Sequence, residues 1–229
     1  MAITFAFDVY GTLIDTHGLV SMLEDMFGAN QAKQFSHLWR EKQLEYSFRR
    51  ALMDKYENFS VCTSQALDYT SSFYKVNLSN KQKCKLLSCY RTLPLFDDVI
   101  VSLEELKNEN VKLFAFSNGC PEALEALLKN TQVWDFFDGI VSADDIKTFK
   151  PNPDIYEYLL ANTKSSHNST WLISSNSFDV IGAVSAGLHS AWLQRSENQI
   201  FDPWGIDPTI TINSLLELKK AILVQQQVS

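Results

Sequence analysis

Four short segments of this 229-residue chain place small polar groups where chemistry is possible. Asp8 opens the run Asp8-Val9-Tyr10-Gly11-Thr12, directly after an apolar stretch. Ser117-Asn118 follows a second apolar stretch, and Ser174-Ser175-Asn176, with Asp179 three residues on, follows a third. Lys150 stands in Phe149-Lys150-Pro151-Asn152-Pro153. A carboxylate that ends an apolar strand can cap the next segment, bind a metal ion or act as a nucleophile. Pro151 and Pro153 fix φ and push the residues before them towards extended geometry, which holds Lys150 in a rigid turn. A lysine held beside Asp8 would keep that carboxylate charged at neutral pH.

The elements that must carry these groups follow from the pattern of apolar residues. Residues 3–9, 111–116, 139–142, 170–173, 189–193 and 209–212 read as short strands. The first two are almost continuously apolar, as in a sheet buried on both faces. Helical spacing covers 99–108, 121–128, 153–161, 178–186 (ended by Gly187) and 214–224. Strands alternating with helices predict an α/β fold, a Rossmann-like parallel sheet core. Between Ala29 and Leu93 there is neither Gly nor Pro, and residues 31–56, 63–74 and 80–90 have helical spacing. Residues 17–93 are therefore expected to form an inserted helical cap domain on a core of residues 1–16 and 94–229. Residues 225–229 read as a frayed tail. In such sheets, sites form at the carboxyl ends of the strands, where all four polar segments fall.

Together and in this order, D-x-Y-G-T, S-N-G, K-P and S-S-N-x-x-D resemble the motifs of the haloacid dehalogenase superfamily. Most members of that superfamily are magnesium-dependent phosphotransferases with D-x-D in the first motif. Here Tyr10 replaces the second aspartate. With Leu38-Trp39-Arg40, Lys42 to Tyr46, Tyr56 to Phe59 and Tyr156, the chain resembles type II (S)-2-haloacid dehalogenases over nearly its whole length. The resemblance implies that Asp8 attacks the halogen-bearing carbon and that water then hydrolyses the ester, with no metal ion or other cofactor. Lys150 would orient Asp8, with Thr12 and Tyr156 positioning neighbouring groups. Asp179 would be the base, Ser175 and Asn176 would place the water, and Ser174 would be a further catalytic residue. Ser117 and the backbone N–H groups near Val9 and Tyr10 would hold the substrate carboxylate. Arg40 and Asn118 would receive the halide. Tyr10, Leu44, Phe59 and Phe178 would form an apolar wall. Two positions depart from the branch: Glu41 stands where glutamine is expected and Phe178 where tryptophan is common. A carboxylate at 41 would repel an anionic substrate unless it turns to solvent or pairs with Lys42.

Other readings are a phosphatase of the same superfamily and a non-catalytic binder of a small anion or a protein. Tyr10 opposes the first, and the presence of Asp8, Lys150 and Asp179 opposes the second. There is no G-x-S-x-G, H-E-x-x-H, G-x-G-x-x-G or G-x-x-x-x-G-K-[ST]. A formal net charge of −7 gives no footprint for nucleic acid. No apolar run reaches the ~18 residues of a membrane span. Cys62, Cys84, Cys89 and Cys120 form no C-x-x-C and read as free thiols. With no signal-peptide pattern, the expected location is cytoplasmic. The expected partners are a small 2-halo carboxylate and a halide ion, and relatives of this kind are commonly homodimers.

Overall fold

The computed structural model describes residues 2–222. Its sheet consists of β1 (Ile3–Asp8), β2 (Val111–Ser117), β3 (Gly139–Ser142), β4 (Thr170–Ser174), β5 (His189–Leu193) and β6 (Ile210–Ile212). The strands lie in the order β3-β2-β1-β4-β5-β6, and every neighbouring pair is parallel. After β3 the chain crosses to the far side of β1, so the order reverses between β1 and β4. That reversal opens a crevice at the carboxyl ends of these strands. Phe7 of β1 lies level with Ile173 of β4, and Asp8 with Phe116 of β2.

Five α-helices lie between β1 and β2, the first four being α1 (His17–Phe27), α2 (Ala29–Leu52), α3 (Phe59–Phe73) and α4 (Asn80–Cys89). The other main helices are α5 (Val99–Lys107), α6 (Pro121–Asn130), α7 (Pro153–Thr163) and α8 (Ser177–Ser185). Pro121 and Pro153 each open a helix, where a missing N–H costs nothing. Alternate residues of β1 serve opposite faces of the sheet. Phe5 and Phe7 join one apolar cluster and Ala6 another.

The α/β parallel architecture is the one expected. Element bounds differ from the reading by spacing by a few residues, as where α3 begins at Phe59 rather than at residue 63, and three further details differ. A separate helix, α1, precedes α2, with Gly28 between them at φ +78°. The second helix ends at Leu52 rather than Tyr56, and Asp54 just beyond it adopts a left-handed φ of +52°, which helical continuation forbids. The closing segment begins as a 3₁₀ turn, Leu215–Glu217, before residues 218–222 become helical. The remainder of that expected helix and the expected tail lie outside the described residues. Among the described residues, no helix is long and apolar enough to cross a membrane.

The chain leaves the sheet and returns to it at one place. The Asp15 N–H donates to Pro94 O at 2.8 Å, and the Phe96 N–H donates to Leu13 O at 3.0 Å. Beside this neck, Arg195 makes two contacts of 2.8 Å to Asp98 and also donates to the Thr12 carbonyl. Burial alone would raise the Asp98 pKa, but the Leu215 N–H, Arg195 and Ser214 outweigh it and hold the carboxyl below its ordinary value. A depressed carboxyl contributes stability that is present above its unfolded pKa and lost as pH falls through the folded value. Arg195→Met should therefore destabilise the protein by about 2 kcal/mol at neutral pH, because it takes a charged donor from a half-buried carboxylate and leaves it to the Leu215 N–H and Ser214. In urea unfolding, that deficit should shrink as pH falls below the ordinary aspartate range.

Candidate active site

Asp8 ends β1, and a tight turn follows. The N–H groups of Thr12, Leu13 and Ile14 converge on the Val9 carbonyl at 3.3, 2.9 and 3.0 Å, with Gly11 at φ +86°. A positive φ at that step suits glycine. The turn carries the Thr12 hydroxyl back to Asp8, where it donates to Oδ2 at 2.8 Å. The end of β4 locks onto the same turn. The Ser175 N–H donates to Thr12 Oγ1 at 2.9 Å, and Ser175 Oγ donates to the Gly11 carbonyl at 2.7 Å. Asn176 Nδ2 donates to Asp8 Oδ2 at 2.8 Å and to the Tyr10 carbonyl at 3.3 Å. Ser174 is fully buried, and its Oγ accepts the Asn176 N–H at 3.1 Å, so its hydroxyl shapes the turn. Val9 is buried in the core and serves the site through its carbonyl.

Lys150 reaches this centre from the turn before α7. It is only 1% exposed. Its Nζ donates to Asp8 Oδ1 at 3.2 Å, to Asp179 Oδ2 at 2.7 Å and to the Phe116 carbonyl at 2.8 Å. An ammonium has three N–H donors, and here all three are used. The Lys150 backbone N–H donates to Asn118 Oδ1 at 2.8 Å, which leaves the Asn118 amide nitrogen free to donate elsewhere. Ser117 Oγ accepts the Gly119 N–H at 3.2 Å.

Asp179, in the first turn of α8, is fully buried. Burial pushes its pKa up, and the nearby Asp8 charge adds to the push. Lys150 and the Tyr156 hydroxyl pull it back without cancelling it. The Tyr156 hydroxyl donates to Asp179 Oδ1 at 2.9 Å. This contact depends on Gly182, one turn along α8. A Cβ there would collide with the Tyr156 oxygen and lie 2.7 Å from Pro151 Cβ.

Arg40 approaches from α2. Burial lowers its pKa, while Tyr90, Asp8 and Tyr10 act against that shift. Its Nη1 donates to Gln43 Oε1 at 2.7 Å. Tyr10 packs edge-on against Tyr90 at 5.9 Å between ring centroids. Phe59 is buried against Phe149 at 5.9 Å, and Phe178 meets Phe48 of α2 edge-on at 5.2 Å. Leu44 is half-buried on α2. Each ring of the expected wall thus has its own packing partner. Glu41 is exposed and lies 3.5 Å from His37, while Lys42 pairs with Glu45 at 2.5 Å. The carboxylate at 41 therefore faces solvent.

Asp8, Thr12, Lys150, Tyr156, Asn176 and Asp179 form one hydrogen-bonded centre, with Ser175 and Asn118 one bond further out. Three contributors were not among the expected site residues: Gln43 on α2, Gly182 under Tyr156, and Arg195 on the Thr12 carbonyl. Among the described residues, no group of three His, Cys, Asp or Glu side chains could hold a metal ion. The cation lying between Asp8 and Asp179 is the Lys150 ammonium.

A strand-end aspartate facing a buried lysine across this crevice defines a class of α/β hydrolases. The chain belongs to the haloacid dehalogenase-like hydrolases, which it matches over residues 5–193, and within them to the (S)-2-haloacid dehalogenases. The (S)-2-haloacid dehalogenase of Pseudomonas sp. strain YL is 34% identical over 210 residues, covering 92% of this chain and 90% of that protein. Haloacetate dehalogenase H-2 of Moraxella sp. strain B is 34% identical over 90% of this chain and 92% of its own. The structure of L-2-haloacid dehalogenase from Xanthobacter autotrophicus with chloropropionic acid covalently bound is similar at a TM-score of 0.87. It is 28% identical and covers 97% of this chain and 98% of that one.

Gly182→Ala should cost about 1–3 kcal/mol by overpacking and displace the Tyr156 hydroxyl from Asp179. Thermal or urea unfolding measures the first effect. Paired with Tyr156→Phe, which removes the hydroxyl from beneath the added methyl, the same alanine should cost less.

Proposed function

We propose that this protein hydrolyses the carbon–halogen bond of short (S)-2-haloalkanoic acids to (R)-2-hydroxyalkanoic acids, through an ester on Asp8 and without a metal ion. The observation that carries the reading is Asp8 held between Lys150, Thr12 and Asn176, with Tyr10 at the position of a phosphatase's second aspartate. Asp8 Oδ2 accepts two hydrogen bonds and Oδ1 one, so Oδ1 keeps more of its lone-pair density for attack. In the first step, Oδ1 attacks C2 opposite the halogen. A carbon–oxygen bond forms, and the halide leaves with the bonding pair. C2 is inverted. In the second step, water attacks the Asp8 carbonyl carbon, gives up a proton to Asp179, and displaces the hydroxy acid. One water oxygen stays in the Asp8 carboxylate.

The roles of the remaining groups follow the same reading. Ser117 and the N–H groups near Val9 and Tyr10 hold the substrate carboxylate. Arg40, with the Asn118 amide, faces the leaving halide, where a cation and a neutral donor stabilise developing negative charge. Tyr10, Leu44, Phe59 and Phe178 exclude water from the carbon–halogen bond. Residues 17–93 act as a cap over a core of 1–16 and 94–229, and the neck at Asp15 and Pro94 supports that division. The covalently bound chloropropionic acid in the Xanthobacter enzyme supports an ester intermediate here. A cytoplasmic location and a homodimeric state belong to the same reading.

The test is halide release from (S)- and (R)-2-chloropropionate, each with and without EDTA, beside p-nitrophenyl phosphate with Mg²⁺. Halide from the S enantiomer alone, unaffected by chelator, is expected. Phosphatase activity without halide release would overturn the reading. Asp8→Asn should lower halide release by at least about a thousandfold. A single turnover in heavy-oxygen water should leave the label in Asp8, and label found only in the product would exclude the ester.

A base must be unprotonated to act, so the raised Asp179 pKa should bring the acid limb of kcat closer to neutrality than an ordinary carboxylate would. The Tyr156 hydrogen bond favours the charged form of Asp179. Tyr156→Phe should therefore move that limb to still higher pH as well as lower kcat, and a pH–rate profile reads both.

A further inference from the structure

Gln43 is a polar side chain placed where α2 packs into the protein. It is 1% exposed and lies on the stripe of α2 formed by Ala32, Phe35, Trp39, Gln43 and Ser47. An amide buried so fully needs a partner for each of its ends. Its Oε1 accepts from Arg40 Nη1 at 2.7 Å, and its Nε2 donates to Thr63 Oγ1 at 2.6 Å. Thr63 Oγ1 donates its own proton to the Phe59 carbonyl at 2.9 Å. The chain of bonds therefore has one direction. Thr63 has only lone pairs left for Gln43, so the amide nitrogen must point towards Thr63 and the amide oxygen towards Arg40. A flipped amide would set an N–H against a guanidinium N–H. The Trp39 indole, fully buried, donates to the Thr63 carbonyl at 2.9 Å and fixes α3 against α2 beside this chain.

The nature of the acceptor matters as much as its position. A carboxylate at position 43 would hold the guanidinium equally well, but it would cancel the positive charge. A neutral amide orients Arg40 and leaves its charge available to an anion. We propose that Gln43 is a positioning residue that aims Arg40 at the leaving halide and, by staying neutral, preserves the charge that receives it. This inference rests on the halide role assigned to Arg40 under the proposed function.

The test uses Gln43→Glu, which keeps shape and length, adds a negative charge and turns the donor that faces Thr63 into an acceptor. Two measurements are made on the full-length protein: turnover of (S)-2-bromopropionate against (S)-2-chloropropionate, and binding of chloride to the resting protein by calorimetry. Loss of help to the leaving group penalises the poorer leaving group more. The bromo-to-chloro ratio of kcat should rise at least severalfold, and chloride should bind about tenfold more weakly or worse, the scale of one charge-assisted hydrogen bond. A residue that merely supported the fold would lower both rates together and leave the ratio alone. Thr63→Val, which frees the amide to flip and adds no charge, should move both readouts the same way by a smaller factor.

An unchanged ratio together with unchanged chloride binding in Gln43→Glu would overturn the inference while leaving the dehalogenase reading intact. A parent protein that releases no halide from either substrate and binds no chloride would overturn both. If Gln43→Glu fails to fold, Thr63→Val decides: a parent-like ratio and parent-like chloride binding there would overturn the inference.

Discussion

The Lys150 ammonium is the contact on which the rest of the structure depends. Taking a charged group out of water costs several kcal/mol even after the surroundings relax. Lys150 meets that cost with two carboxylates and a main-chain carbonyl, and none of its protons is left over. The arrangement creates a second demand, because two anions now share one cation. The surplus negative charge is met by neutral donors: Thr12 and Asn176 on Asp8, and Tyr156 on Asp179. Each donor comes from a different segment. Only a sheet with β1 beside β4, and with the β3–α7 connection passing over them, brings those segments within reach.

This packing divides the crevice into two electrostatic ends. On the sheet side, the environment of Asp179 favours proton uptake more than water would. On the helix side, Arg40 has a neutral amide as its hydrogen-bond partner. The field between the two ends would draw an anion towards α2, away from the carboxylates. Glu41 beside Arg40 does not spoil this polarity, because the 3.6-residue helical period turns it outward to His37.

Most of the sheet was legible in the sequence because buried parallel strands are short continuous apolar runs ended by turn residues, as in Ile3–Asp8 and Val111–Ser117. The strand-end positions of Asp8, Ser117 and Ser174 then followed. The helices of residues 17–89 were less legible. The core-facing stripe of α2 includes Gln43 and Ser47, so its apolar period is broken exactly where polar groups do structural tasks. Gly182 and Arg195 could not be picked out, because each acts through a partner distant in sequence, and the second partner of Gln43, Thr63, is met only in the fold. Nothing local to Gly182 says that a tyrosine hydroxyl 26 positions earlier will occupy the space of its missing side chain. Glu41 shows the opposite case. As a residue type beside Arg40 it suggested repulsion, and its direction on the helix removes the problem.

The neck has a bearing on how such proteins can diversify. Because the chain departs at Asp15 and rejoins at Pro94 within one main-chain hydrogen bond, the sheet experiences everything between as a closed loop. The entropy of closing a loop rises by only ~0.6 kcal/mol for each doubling of its length. Insertions, deletions or wholesale replacement of the helices would therefore burden the folding of the sheet very little. Asp8, Lys150 and Asp179 all belong to the part that would stay, whereas Arg40, Gln43 and Phe59 belong to the part that can be exchanged. The strand-end ion cluster and the helices that face it are thus inherited on separate stretches of one chain, and selection can vary the second without changing a residue of the first.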